Sequence, residues 1–252
     1  MTALISAELL KLCTRAHAGV LLVAMIFVPV AVSSEIPKRG PGDPTPSIYA
    51  PDLLALAVGT GFVVPMVFIA LLGGVAVTQE FRYGTVTSTY LIEPRRNRVL
   101  VAKSVALAVA SVLTTVVTLV VAVPVAVALI SSRGGEMVVG VRLWQTIAGC
   151  TVVMLVYAVV GVLIGALVRN QVVFVVAALV WMLAVEHMII PAHMSVGRWL
   201  PVAAAYVVMQ LGPSVDPEGQ LLPVAASGLL LAVYATIVVV LAFRLTPGRD
   251  IL

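Results

Sequence analysis

Charge is what this sequence has least of. Of its 252 residues, Asp, Glu, Lys and Arg make up 10%, while Ala, Val, Ile, Leu, Met, Phe, Trp, Tyr and Cys make up 62%. Soluble domains carry about 25% charged residues; the 26 present here cannot cover a water-facing surface of this size. That excludes a soluble enzyme, a nucleic-acid-binding module and a disordered chain. Cysteine is almost absent too. Cys13 precedes the first apolar run and Cys150 sits inside a later one, so no disulfide framework exists. Motifs for enzymatic chemistry are also missing. No phosphate loop of the form G-x-x-x-x-G-K-[ST] occurs, so the chain does not hydrolyse ATP by itself. No H-E-x-x-H pair occurs, and His17, His187 and His193 do not fall at metal-ligand spacing. No G-x-S-x-G elbow surrounds a serine, and Ser214 in Gly-Pro-Ser has no matching base. What the chain does have is long apolar runs and a mean hydropathy of +1.16, the composition of a polytopic helical membrane protein.

Six runs are long enough to cross a bilayer, at about 18–34, 53–78, 104–131, 143–168, 172–190 and 223–243. The fold class is therefore all-α, a single transmembrane domain over 1–252. Residues 1–16 precede the first span with Ile5, Leu9, Leu12 and Cys13 on one helical face and Glu8, Lys11 and Arg15 on another, which suits a helix lying in the membrane interface. A cleaved signal peptide is the competing reading of this start, since small residues end the first run. Pro37, Pro41, Pro44, Pro46 and Pro51 make 35–52 a loop. Pro124 falls within the third span, where a kink is tolerated. Residues 191–222 are partly apolar yet interrupted by Pro191, Pro201, Gly212, Pro213 and Pro217.

Six spans return both termini to one side, and the few charges choose that side. The N-terminus, 79–103, the turn at 169 and the C-terminus hold Lys11, Arg15, Arg82, Arg95, Arg96, Arg98, Lys103, Arg169, Arg244 and Arg249. The opposite loops hold Lys38, Arg39, Arg133, Arg142 and Arg198, with seven acids. The cation-rich side is expected to be cytoplasmic. Arg outnumbers Lys 12 to 3, the usage of a GC-rich genome. The chain is expected in the cytoplasmic membrane of a bacterium, with both termini in the cytoplasm.

The segment Gln79–Lys103 concentrates seven of the 26 charges: Glu80, Arg82, Glu93, Arg95, Arg96, Arg98 and Lys103. A plain topology-setting loop is one reading. A docking element is the other: a short helix between Gln79 and Ile92, broken at Glu93-Pro94, followed by a basic run. The order Glu80, Gly84-Thr85, Pro94, Arg96 and Lys103 resembles type-2 ATP-binding-cassette (ABC) exporter permeases. In that family a Glu-x-x-x-Gly-Thr stretch follows the second span, then a Pro-x-x-Arg element, then a Lys opening the third span. Arg96 stands two residues after Pro94, where the family usually has three.

The resemblance implies a permease without ATPase activity that dimerises with itself or a sister permease. It also implies docking of two cytoplasmic ATPase subunits, which would bind the ATP and Mg; this chain would hold no cofactor. Residues 79–98 would be the cytoplasmic coupling segment, with Glu80, Arg82, Tyr83, Gly84, Thr85, Glu93, Pro94, Arg95, Arg96, Arg98 and Lys103 as its coupling or docking residues. Residues 1–16 would be the elbow helix, and 191–222 an external segment of short helices re-entering the outer leaflet. Membrane lipids and a small lipophilic or amphipathic substrate (drug, lipid or natural product) would be the other partners, and nucleic acid would not.

Two further features stand outside that segment. A carboxylate in lipid costs about 2.5–3.5 kcal/mol, so Glu186, beside His187 near the outer end of span five, is expected to be solvated beyond the membrane, to form an outer gate, or to pair with Arg198. Gly161-x-x-x-Gly165 is expected to let a helix approach closely, within the subunit or across a dimer. Two other functions also fit six apolar spans: an ion-gradient-driven secondary transporter and a non-transporting assembly or structural protein. Spans two and three lack charge entirely, which counts against proton coupling.

Overall fold

A computed structural model describes residues 2–12, 15–36, 52–93, 95–135, 138–216 and 219–245. Most of the proline-rich loop, Cys13, Pro94, Glu136, Pro217 and the terminal Arg249-Asp250 lie outside the described residues. In hydrocarbon the backbone has no water to bond, so apolar runs become helices that satisfy their own N–H and C=O groups. The order is α1 (Thr2–Leu12), α2 (Arg15–Glu35), α3 (Leu53–Thr60), α4 (Val63–Arg82), α5 (Val86–Ile92), α6 (Arg96–Ser132) and α7 (Val141–Val168). Then follow α8 (Gln171–Leu179), a π-helical turn (Val180–Val185), α9 (Glu186–Ala192), α10 (Met194–Gly197), α11 (Pro201–Val208), α12 (Gly212–Val215) and α13 (Val224–Leu245). Among the described residues there is no strand.

Five stretches are long and apolar enough to cross a membrane: Leu53–Arg82, Arg96–Ser132, Val141–Val168, Gln171–Ala192 and Val224–Leu245. The apolar part of α2, Leu21–Glu35, is shorter. Helix ends differ from span ends. The third span is expected to begin near 104, but α6 starts at Arg96. The second span is expected to end at 78, but α4 runs on to Arg82. Hydropathy marks where lipid stops; Arg, Lys, Glu and Gln are good helix formers and carry the helix further.

The bundle is built around α3–α4, most of whose span is buried, with α7, α6 and α2 packed against it. Glycine sets how close α4 and α7 come. A Cβ on Gly73 would stand 2.6 Å from the Ala158 carbonyl, and one on Gly165 2.7 Å from Gly74 Cα. A Cβ on Gly161 would run into the Ala70 carbonyl. The Gly161–Gly165 face is thus filled by α4 of the same subunit.

Within 191–222 the chain forms short helices: Pro201 opens α11, and Val202 through Val208 are all buried. Its far end reaches into the bundle: a Cβ on Gly59 would lie 2.9 Å from the Met209 carbonyl, and one on Gly149 would strike the Val208 carbonyl. Helix α13 packs on α11 and α7, and the Tyr234 hydroxyl donates to the Trp199 carbonyl at 3.0 Å.

Candidate functional site

At the end of the bundle where α4 finishes and α6 begins, the charged segment divides into two sets. Two of its residues face inward. Lys103, one turn into the apolar part of α6, is 2% exposed. Its ammonium donates to Glu80 Oε1 at 2.8 Å and to Glu8 Oε2 at 2.7 Å. Lys11 closes the set, donating to Glu8 Oε1 at 2.7 Å and to Glu80 Oε1 at 3.2 Å. Two cations and two anions thus join α1, α4 and α6 through one compensated network. A buried charge is costly unless paired and hydrogen-bonded, and here each carboxylate receives two ammonium groups.

The network also shifts its members on α1. Burial pushes the Glu8 carboxyl up, but the Lys103 charge and the hydrogen bonds from Lys103 and Lys11 outweigh it, leaving the group below its ordinary 4.5. Burial pulls Lys11 down, but the Glu8 hydrogen bond and the Glu80 charge outweigh it, holding its ammonium above 10.5.

Of the other coupling residues described, Arg82, Tyr83, Gly84, Thr85, Arg95 and Arg98 are exposed, and Glu93 and Arg96 are half-buried. Gly84 turns the chain between α4 and α5 with φ +69°, a left-handed conformation that favours glycine. Tyr83 is 71% exposed and Leu91 79%. Thr85 precedes α5, and its carbonyl accepts from the Ser88 and Thr89 hydroxyls at 2.8 and 3.2 Å. Glu93 is extended, as a residue before proline should be; Pro94 itself lies outside the described residues. Glu93 Oε1 accepts from the Arg95 backbone at 3.3 Å, and Oε2 stands 3.7 Å from Arg98. The Arg96 guanidinium lies 5.4 Å from the Tyr90 ring centre. Arg82 reaches Gln171 Oε1 at 3.3 Å, and Arg169 sits 5.4 Å from the Phe81 ring centre, so the turn after α7 leans on the end of α4. The short helix expected over Gln79–Ile92 is confined to Val86–Ile92, because the Gly84 turn separates it from α4.

In the sequence alone, Glu8 and Lys11 mark only the polar face of the leader. Their role as counter-charges is a contact across 95 residues, invisible to local pattern. The one available signal was Lys103 itself: a lysine next to an apolar run demands acidic partners.

Glu186 lies toward the other end of the molecule, and neither solvation nor Arg198 satisfies it. It is 0% exposed. Its Oε2 accepts from the Val202 backbone N–H at 2.7 Å, at the first turn of α11, where an N–H has no partner within the helix. That is why a carboxylate is tolerated inside. Arg198 instead lies over the Trp199 ring, 5.7 Å from its centre. His187 points elsewhere, since adjacent helical residues face different ways. Its Nδ1 stands 2.9 Å from the Met182 carbonyl and its Nε2 2.9 Å from the Tyr206 hydroxyl. A ring donating from Nδ1 and accepting from the Tyr206 hydroxyl at Nε2 satisfies both. Glu186 and His187 therefore border different cavities. One of about 440 Å³ lies among α7, α8–α9 and α13 and includes Glu186; one of about 340 Å³ includes Glu35, Thr60, His187 and Tyr206.

Among the described residues no group of three or more His, Cys, Asp or Glu side chains could hold a metal ion. The sequence model of the ABC-2 family transporter proteins matches residues 4–185, from α1 to the π-helical turn. No curated protein matches the chain.

Proposed function

This chain belongs to the ABC-2 family of transporter proteins and is the multi-pass membrane subunit of an ABC transporter, and we propose that it is an exporter permease driven by separate ATPase subunits. On this reading it sits in the cytoplasmic membrane of a bacterium, with α1, α5 and both termini on the cytoplasmic face. It pairs with a second permease copy or a sister permease, is surrounded by membrane lipid, and moves a lipophilic or amphipathic small molecule by alternating access. The ATP and Mg belong to the partner ATPases; this chain carries force, not the hydrolytic chemistry.

The observation that carries the reading is the division of the charged segment into a buried lock and an exposed handle. Tyr83, Gly84, Thr85, Leu91, Arg95 and Arg98 are exposed around α5 and form the handle. Glu8, Lys11, Glu80 and Lys103 join the bases of α1, α4 and α6. A push on α5 is passed through the Gly84 turn to α4 and across the ion network to α6, so the spans move together rather than bending separately. Glu93 and the arginines after it set the exit angle into α6.

A cross-linking measurement tests the docking. With Cys13→Ser as background, Leu91→Cys is expected to form a covalent adduct with a P-loop ATPase in membranes. A control cysteine replacing Val139, at the opposite end of the bundle, is expected to form none. An adduct at both positions or at neither would overturn the assignment of α5 as the docking element.

A further inference from the structure

The 440 Å³ cavity among α7, α8–α9 and α13 is apolar over nearly all of its wall, with Phe174, Trp181 and Leu231 among its lining. It holds two polar atoms that the fold leaves unused. Glu186 spends Oε2 on the Val202 N–H, but Oε1 is buried and has no hydrogen-bond partner. The Trp181 indole approaches the carboxyl without closing a bond to Oε1. The Tyr157 hydroxyl is also buried and unpartnered, lines the same cavity, and lies within electrostatic reach of Glu186. The two do not bond each other. An unpaired buried acceptor is costly, so a fold that keeps two at one apolar wall leaves a place for a donor from elsewhere.

The chemistry of that donor follows from the wall. None of the residues around the cavity is basic, so the acid has no counter-charge there, in contrast to Glu80 with its two lysines. A π-helical turn, Val180–Val185, carries Trp181 and Met182 into the lining and displaces the register just before Glu186; such turns recur at functional sites. We propose that this cavity binds a lipophilic amine, its hydrocarbon body along α7, α8 and α13 and its ammonium on Glu186 Oε1, with the Tyr157 hydroxyl as second partner. The site lies within one subunit. It does not depend on ATP coupling, and its test needs no ATPase.

Trp181 is the built-in reporter. In a Trp144→Phe/Trp199→Phe background it is the remaining tryptophan, and both replaced rings are exposed away from this wall. The purified chain in nanodiscs of uncharged lipid is titrated with 12-bromododecylamine and, separately, with 12-bromododecanol, reading bromine quenching of Trp181. The amine is expected to saturate at least tenfold lower in concentration than the alcohol. Glu186→Gln keeps an acceptor for Val202 and is expected to raise the amine midpoint at least tenfold while moving the alcohol's less than twofold. Tyr157→Phe is expected to raise the amine midpoint about threefold. Ala235→Phe, which fills the cavity from α13, is expected to abolish saturable quenching by both. Equal midpoints for amine and alcohol in the unaltered site, or an amine midpoint unmoved by Glu186→Gln with Ala235→Phe still blocking, would overturn the amine assignment. Saturable quenching that survives Ala235→Phe would place the ligand outside the cavity and overturn the site.

Discussion

Glu80 and Glu186 are buried near opposite ends of this bundle, and they are treated in opposite ways. Glu80 sits with Glu8 between two lysines, so the charges balance and both carboxylates are satisfied. Glu186 has one oxygen on a helix N-terminus and one on nothing. Their surroundings differ as much. The span Leu53–Arg82, which carries Glu80, is mostly buried, whereas Gln171–Ala192, which carries Glu186, is mostly exposed. A compensated charge in the central span fastens elements together. An uncompensated one at a peripheral, lipid-facing helix leaves room for something that is not part of the chain. The difference separates a structural lock from a receptive site.

The comparison breaks most violently at Lys103. Replacing it by Met strands Glu8 and Glu80 with only the half-exposed Lys11, and is expected to cost about 3–5 kcal/mol, read as a large fall in the thermal midpoint of the detergent-purified chain. Neutralising the acids as well, in Glu8→Gln/Glu80→Gln/Lys103→Met, is expected to recover most of that midpoint; a triple variant no better than the single one would show that charge balance is not what holds α1, α4 and α6 together. The contrast at Glu186 is smaller. Glu186→Ala leaves the Val202 N–H unpaired and is expected to lose about 1–3 kcal/mol, while Glu186→Gln retains the acceptor and stays close to the starting midpoint. Equal losses for the two would assign the stability to the charge rather than to the α11 contact.

Acid sharpens the same contrast. The Glu8 carboxyl lies below its ordinary 4.5 in the folded chain, so its contribution is fully present above that value and is lost as pH falls through the lowered folded-state value. Lys11 lies above 10.5, so its contribution is present below that value and fades only in stronger alkali. Proteolysis within α1, followed against pH, is expected to rise below about pH 4.5 and not between neutrality and pH 9; Glu8→Gln is expected to flatten the acid rise. A rise centred near neutrality would contradict the assignment. The smallest expected stability effect is at the handle. Tyr83→Ala and Leu91→Ala remove exposed side chains and are expected to change stability within about 0.5 kcal/mol, while lowering recovery of an ATPase with the purified chain. Unchanged recovery from both would remove them from the docking surface.

Much of this was legible in the sequence because bilayer physics writes long signals. Apolar runs gave the spans, and the crowding of charge into Gln79–Lys103 marked the end proposed for docking. The helix limits were less legible, since Arg96-to-Lys103 is too polar for lipid yet helical by propensity. Pairings were not legible at all. Nothing near Lys103 in sequence announces Glu8, and nothing near Glu186 announces Val202, because both contacts are made by packing of separate helices. The depth of α11 was hidden for a related reason: the broken apolar pattern around Pro201 suits short re-entrant helices, but only packing shows that Gly59 and Gly149 open the space α11 enters.

On the proposed function, α5 is the grip of a cytoplasmic ATPase on the membrane subunit of an exporter. The most direct measurement is affinity purification of the full chain from its native membrane in mild detergent, with mass spectrometry of every co-purifying subunit, beside the same preparation from Tyr83→Ala/Leu91→Ala. A P-loop ATPase at one copy or more per permease is expected in the first and its depletion in the second, at equal permease yield. Repeated recovery of the permease without any P-loop protein, or equal ATPase in both preparations, would contradict it.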